Sequence, residues 1–189
     1  WLQVNPKRLI YLRMAADEGH LRMVGDAAFK KEELKGHSLR GALYLRVSGQ
    51  NLADFTKGGV VHVLDFSCKA QRHVTRSTFS AELFGGCDTA DQGFLVGTII
   101  HEISKGVVSK ADARSLRERG GYSIPMVLYL DALSVYAAVT ATNIKAPAEK
   151  SLLSHVQFVR ECLDNKTITA LAWIDTRDMV ADGMTKGAV

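Results

Sequence analysis

The sequence predicts an α/β domain whose mixed sheet is covered by helices. Three observations carry this. Three strand-like segments rich in valine and leucine follow one another within the first 68 residues. From Thr78 the apolar spacing lengthens to that of a helix. Beyond that helix, strand and helix patterns alternate to the end of the chain. Neighbouring strands joined directly pair antiparallel, whereas strands separated by helices pair parallel, so the combination is a mixed sheet.

The elements are read in order. PKRLIYLRM (6–14) has the spacing of a short helix, closed by Gly19. LRMVG (21–25) is the first strand. After the polar KKEELKGHS comes LRGALYLRVSG (39–49), a second strand in which Gly41 suggests a bulge or bend. NLADFTKGG (51–59) is a loop ending in a Gly-Gly turn, and VVHVLDFSC (60–68) is the third strand. From Thr78 to about Ser104, Leu83, Phe84, Cys87, Phe94, Leu95, Ile99 and Ile103 recur at helical spacings, although Gly85, Gly86 and Gly93 interrupt the pattern. The charged stretch 109–123 is a short helix and a surface loop. Pro125 opens the strand MVLYLD, and ALSVYAAVTAT follows as a helix. Residues 147–166 form another helix, with Pro147 in its first turn and a stripe of Leu152, Val156, Val159 and Leu163. TITALAWID (167–175) is a β-branched strand, and TRDMVADGMTK closes the chain as a turn and short helix.

Composition narrows the function. A chain of 189 residues, 47% hydrophobic and 23% charged, is long enough for one domain with a true core. No apolar run approaches the roughly 20 residues of a membrane helix, and the start WLQVNPKRLIYLRM lacks the pattern of a secretory signal. Because it also lacks an initial Met, the chain is expected to be a piece of a longer polypeptide. Cys68, Cys87 and Cys162 are odd in number and widely spaced, which suits reduced thiols, and no CxxC points to zinc. The net charge of +4 permits a nucleic-acid partner without requiring one.

Four acids stand out because each sits singly in a small or apolar neighbourhood. Asp26 lies where the first strand gives out, Glu82 near the start of the long helix, Asp131 at the end of VLYLD and Asp182 near the start of the last helix. Sites in mixed α/β sheets gather at strand ends and helix N-termini. Like charges a few ångströms apart repel, and a divalent cation relieves the repulsion. An all-oxygen donor set favours magnesium or manganese over zinc. The alternative is plain: a strand-end Asp often caps the next helix, and a Glu in a first turn complements the helix dipole.

The ordered set resembles the ribonuclease H domain of copia-type retrotransposon reverse transcriptases. GDAAF (25–29), STFSAEL (77–83), LYLDALS (128–134) and VADGMTK (180–186) are similar to that family's S-D-A, S-S-T-E-A-E-Y, C-D-N and A-D-x-x-T-K segments. QFVRE (157–161) is similar to its H-F-I-R-E, and KRLIYLR (7–13) resembles the connector preceding the domain. The resemblance implies a ribonuclease H-like α/β fold, a five-stranded mixed sheet with its first three strands antiparallel, flanked by helices. Residues 1–20 would be the connector and 21–189 the domain.

It also implies roles. Asp26, Glu82, Asp131 and Asp182 would be catalytic and hold two Mg2+ ions, with Mn2+ able to substitute. The substrate would be the RNA strand of an RNA–DNA hybrid, and the partner a polymerase domain of the same polyprotein. The setting would be cytoplasmic, in virus-like particles, or nuclear. Lys69, Arg72, Arg76, Ser77, Thr78 and Lys186 are candidates for substrate contact, although Ser77 and Thr78 also suit a helix cap. The chain departs from the family at Ala28, Ala132, Leu83 and Ser151, where the pattern has an acid, Asn, an aromatic and His; His73, His101 and His155 are candidates to replace the last. Those departures define a second expectation, a catalytically inactive nucleic-acid-binding or connection module. A third is a structural scaffold whose acids are all caps.

Overall fold

The computed structural model describes residues 11–15, 18–29, 37–49, 59–143, 147 and 149–186. Its centre is a five-stranded sheet in the order β3-β2-β1-β4-β5. Strands β1 (His20–Ala28), β2 (His37–Val47) and β3 (Val61–Val74) form the antiparallel meander. Strand β4 (Met126–Leu130) runs parallel to β1, and β5 (Ala170–Trp173) parallel to β4. Between and after them come helices α1 (Thr78–Lys105), α2 (Lys110–Arg119), α3 (Leu133–Thr140), α4 (Leu153–Asp164) and the single turn α5 (Asp182–Thr185). This is the mixed α/β sheet that the sequence predicts, in the ribonuclease H-like arrangement that the motif resemblance implies.

Alternation along the strands divides the buried side chains between two faces. Leu21, Met23, Tyr44, Met126 and Leu128 meet Leu83, Phe94 and Ile100 of α1 and Val156 and Val159 of α4 in the larger core. Val24, Val127 and Tyr129 point the other way, against Ile174, Met179 and Ala181 of the C-terminal segment. That second face is covered by irregular chain and short helical turns rather than by a long helix. Site residues can therefore enter there from β1, β4 and the C-terminal segment together.

The glycines of α1 have a packing cause. A Cβ at Gly86 would come within 3.2 Å of Leu130, one at Gly85 within 3.2 Å of Ala27, and one at Gly93 would collide with the Met23 sulfur. The helix lies so close to the sheet that small residues form its inner face. Leu95, Ile99 and Ile103, spaced as a helical stripe, face solvent instead. The inner face combines Leu83, Cys87 and Phe94 with Ala81, Ala90 and the glycines, a pattern that hydrophobicity alone under-reads.

Other boundaries differ from the sequence expectation. Residues 6–10 of the first expected helix lie outside the described residues, and 11–15 are not helical. There the Tyr11 hydroxyl donates to the Val63 carbonyl (2.8 Å), and Leu12 places its carbonyl 2.8 Å from His62 Nε2, so β3 holds this stretch in an irregular path. The helix expected over 147–166 starts with a 3-10 turn at Lys150–Leu152 and becomes α-helical at Leu153, leaving Pro147 outside it. Gly41 is not a bulge. It stays in register with Asp26 and Cys68, and the β2–β3 irregularities fall at His37/Leu39 and Tyr44/Leu45. In QFVRE, Arg160 donates to the carbonyls of Val139 (2.8 Å) and Ala141 (2.5 Å), closing the C-terminal end of α3.

Candidate metal centre

Parallel pairing of β1 with β4 brings their C-terminal ends side by side. Asp26 sits near the end of β1, 2% exposed, and Asp131 directly follows β4. The chain then passes through α3, α4 and β5 before α5 returns Asp182 to the same place. One carboxylate oxygen from each of Asp26, Asp131 and Asp182 lies within 4.8 Å of the others, so three of the four acids converge as a possible cation site. Glu82 adjoins them from α1. It is not in that triad, but the charges of Asp26 and Asp131 both act on it.

The capping alternative fails for these residues. Helix α3 is capped by the backbone of Ala132 with no side-chain bond, so Asp131 is not its cap. Its Oδ2 instead accepts from the Thr176 hydroxyl (3.1 Å), and its carbonyl accepts from the Trp173 indole N–H (2.9 Å). Asp182 is the first residue of α5, whose N-cap position is Ala181. Glu82 lies beyond the first turn of α1, which contains no acid. That helix is capped by Ser77, whose side chain accepts from the Ser80 N–H in a reciprocal capping box.

Among the described residues, two carboxylate oxygens are buried without a hydrogen-bond partner, Oε2 of Glu82 and Oδ1 of Asp182. Glu82 is only 7% exposed. A buried, unpaired carboxylate oxygen is costly, and functional sites are where such costs are tolerated. Electrostatics reflects the crowding. Burial, followed by the charges of Asp26 and Asp131, pushes the Glu82 carboxyl up to about 9. Burial also raises Asp26 above the usual carboxylate range, reinforced by Asp131 and Asp182 and opposed by the Thr185 hydrogen bond. Lys186 supplies positive charge, its Nζ 2.6 Å from Asp182 Oδ2, and its own pKa is raised chiefly by that bond. One ammonium leaves three converging acids and Glu82 under-compensated. Hard oxygen donors with excess negative charge fit magnesium or manganese.

The remaining candidates separate clearly. Lys186 stands in the cluster. Ser77 is the helix cap, and Thr78 is the exposed first residue of α1. Arg76 is exposed at the turn into α1, with its backbone N–H bonded to Ser80 Oγ (3.2 Å). Lys69 and Arg72 are exposed on the edge strand β3; Lys69 borders a groove of about 590 Å³ between the sheet and α1 that Arg40 and Asp88 also line. His155 packs edge-on against Phe84 (4.7 Å between centroids), and His101 lies in the C-terminal half of α1. The side chain of His73 lies outside the described residues.

Residues the sequence reading missed are Thr176 and Thr185, whose hydroxyls donate to Asp131 and Asp26. Their signal was faint. Thr185 stands three residues after Asp182 in VADGMTK, one helical turn away, while Thr176 has no local sequence link to Asp131.

No family model matches the chain, and no curated protein sequence matches it.

Proposed function

We propose that the chain is a divalent-metal-dependent ribonuclease that hydrolyses the RNA strand of RNA–DNA hybrids, acting beside a polymerase domain in a retroelement polyprotein. One observation carries the reading: Asp26, Asp131 and Asp182, far apart in sequence, bring carboxylate oxygens within 4.8 Å of one another at the ends of β1 and β4. The buried, unpartnered oxygen of Glu82 beside them supports it. So does the ribonuclease H-like topology on which the acids stand, together with the ordered resemblance of the motifs that carry them.

The four acids would hold Mg2+, or Mn2+ in its place. Bound there, the metal supplies a more acidic water and charge stabilisation at the phosphate. The chain's own residues do the rest. Thr185 and Thr176 restrain the Asp26 and Asp131 carboxylates. Lys186 pairs with Asp182 in the cluster and would offer positive charge to a phosphate bound there. The exposed side chains of Lys69, Arg72 and Arg76 offer charge to a phosphate backbone, so hybrid affinity should fall as salt rises. A hybrid duplex is recognised largely by shape and 2′-hydroxyls, without much sequence preference.

The test is a labelled RNA–DNA hybrid incubated with Mg2+, Mn2+ or EDTA, beside an Asp131→Asn chain. Metal-dependent loss of the RNA strand, absent in the variant, is the expected result. A second reading, an inactive module that keeps the fold, is favoured by Ala28 and Ala132, which lack the polar groups of the similar family's motifs. It predicts salt-dependent hybrid binding with no cutting at any concentration of either metal.

A further inference from the structure

Asp26 does not stand alone on β1. Its register partner on β2 is Gly41, and Gly41 in turn faces Cys68 on β3. This row of three residues across three strands meets one element, the single turn α5. The Thr185 hydroxyl donates to Asp26 Oδ2. The Thr185 methyl lies where Gly41 has no side chain: a Cβ there would come within 2.9 Å of Thr185 Cγ2 and 3.3 Å of the Ala181 carbonyl. The Cys68 thiol lies 2.8 Å from the Met184 carbonyl, which accepts from it. Thr185 itself is 1% exposed, so its hydroxyl and methyl are both fixed by the sheet.

From this row we propose that Thr185, seated on Gly41, is a positioning residue for the metal centre. It sets the orientation of the Asp26 carboxylate and locks α5, which carries Asp182, at the distance where both acids serve one cation. The assignment rests on the metal-centre reading above. The physical logic is that of an outer-shell hydrogen bond: a carboxylate free to rotate loses part of its binding energy in being ordered, and a fixed donor removes that loss in advance. A helix of one turn cannot hold its own place, because it has no internal cooperativity. Its position must come from docking, and Gly41 admits that docking where any larger residue would block it.

The test measures Mn2+ binding to the full chain by titration calorimetry, without nucleic acid, with a metal-free melt of each variant as a folding control. Thr185→Val keeps the shape and removes the hydroxyl; it should weaken Mn2+ binding about 10–100-fold. Thr185→Ser keeps the hydroxyl and should stay close to wild type. Gly41→Ala should weaken binding by forcing Thr185 off its seat. Adding Thr185→Ser to Gly41→Ala removes the clashing methyl and should restore most of the lost affinity. Wild-type affinity in Thr185→Val, or a double variant no better than Gly41→Ala alone, overturns the positioning role while leaving the metal centre standing. Wild-type chain that takes up no Mn2+ overturns both. If Thr185→Val does not melt cooperatively, the Gly41→Ala pair of chains decides by itself.

Discussion

The packed α1 face and the acidic cluster at the ends of β1 and β4 bury side chains to similar depth for opposite reasons. On the α1 face, Leu21, Met23, Leu83 and Phe94 close around glycines that let the helix approach the strands. At the C-terminal ends of β1 and β4, where α5 returns and Glu82 reaches in from α1, Asp26 and Glu82 are nearly as hidden as a core leucine, yet two carboxylate oxygens of the cluster lack partners. The first face gains stability from removing apolar surface from water. The second gives stability up, because crowded carboxylates repel one another and lose their hydration. The apolar core and the acidic cluster thus occupy different parts of one sheet, the cluster at the C-terminal ends of β1 and β4. Mutations on the two sides should fail in different ways.

The largest contrast comes from the acids. Asp26→Asn should abolish hybrid cleavage while the metal-free chain melts at or above the wild-type temperature, since it removes a buried, crowded carboxylate; Glu82→Gln should abolish cleavage with a metal-free melt close to wild type at neutral pH, where the folded chain already holds the Glu82 proton. Activity assays paired with melts in EDTA check this; a variant that cuts normally would break the account of the site. Conversely, Gly93→Val drives a side chain into the Met23 sulfur and should cost about 1–3 kcal/mol or more of stability. Denaturant unfolding reads it, and Mn2+ affinity per folded molecule should stay near wild type.

A pH series sharpens the same comparison. Glu82 has an ordinary value of 4.5 when unfolded and is pushed up to about 9 in the folded, metal-free chain. The folded state therefore holds this proton more tightly. Its contribution is fully present below about pH 4.5 and is lost as the pH rises toward about 9. Melting temperatures in EDTA should decline across that window, and the extra stability conferred by Mg2+ should grow across it, because the cation needs ionised ligands. A flat difference between the two series would show that Glu82 is not coupled to metal. The smallest expected effect is from Thr176→Val. Thr176 is exposed and its 3.1 Å bond to Asp131 competes with water, so Mn2+ affinity should drop less than in Thr185→Val.

Much of this was legible in the order of apolar periods. Strand length and alternation, followed by helical spacing from Thr78, lead to the mixed sheet, since connection length decides parallel against antiparallel pairing. Asp131 was visible as an acid ending an apolar strand. Whether it caps the next helix was not, because a capping Asp and a strand-end Asp with another role share the same local sequence; the backbone of α3, capped without it, removes the cap reading. The glycines of α1 read as interruptions because propensity counts their cost and cannot count the close approach to Met23 and Leu130 that they permit. Gly41 read as a bulge for the same reason: its purpose lies in Thr185, 144 positions further along the chain, and no local pattern carries such a contact. The expected helix near residues 11–14 fell to hydrogen bonds with β3, a tertiary contact that overrides local spacing.

The most direct test of the central claim is a thermal melt of the wild-type chain and of Asp26→Asn across a Mg2+ titration at neutral pH. A cation bound only by the folded state must raise the melting temperature, by the equivalent of about 2.7 kcal/mol at a hundredfold excess over its dissociation constant. The account predicts a saturable rise for the wild type and little or none for Asp26→Asn. A wild-type curve that Mg2+ leaves unmoved, or an equal rise in both chains, would contradict it.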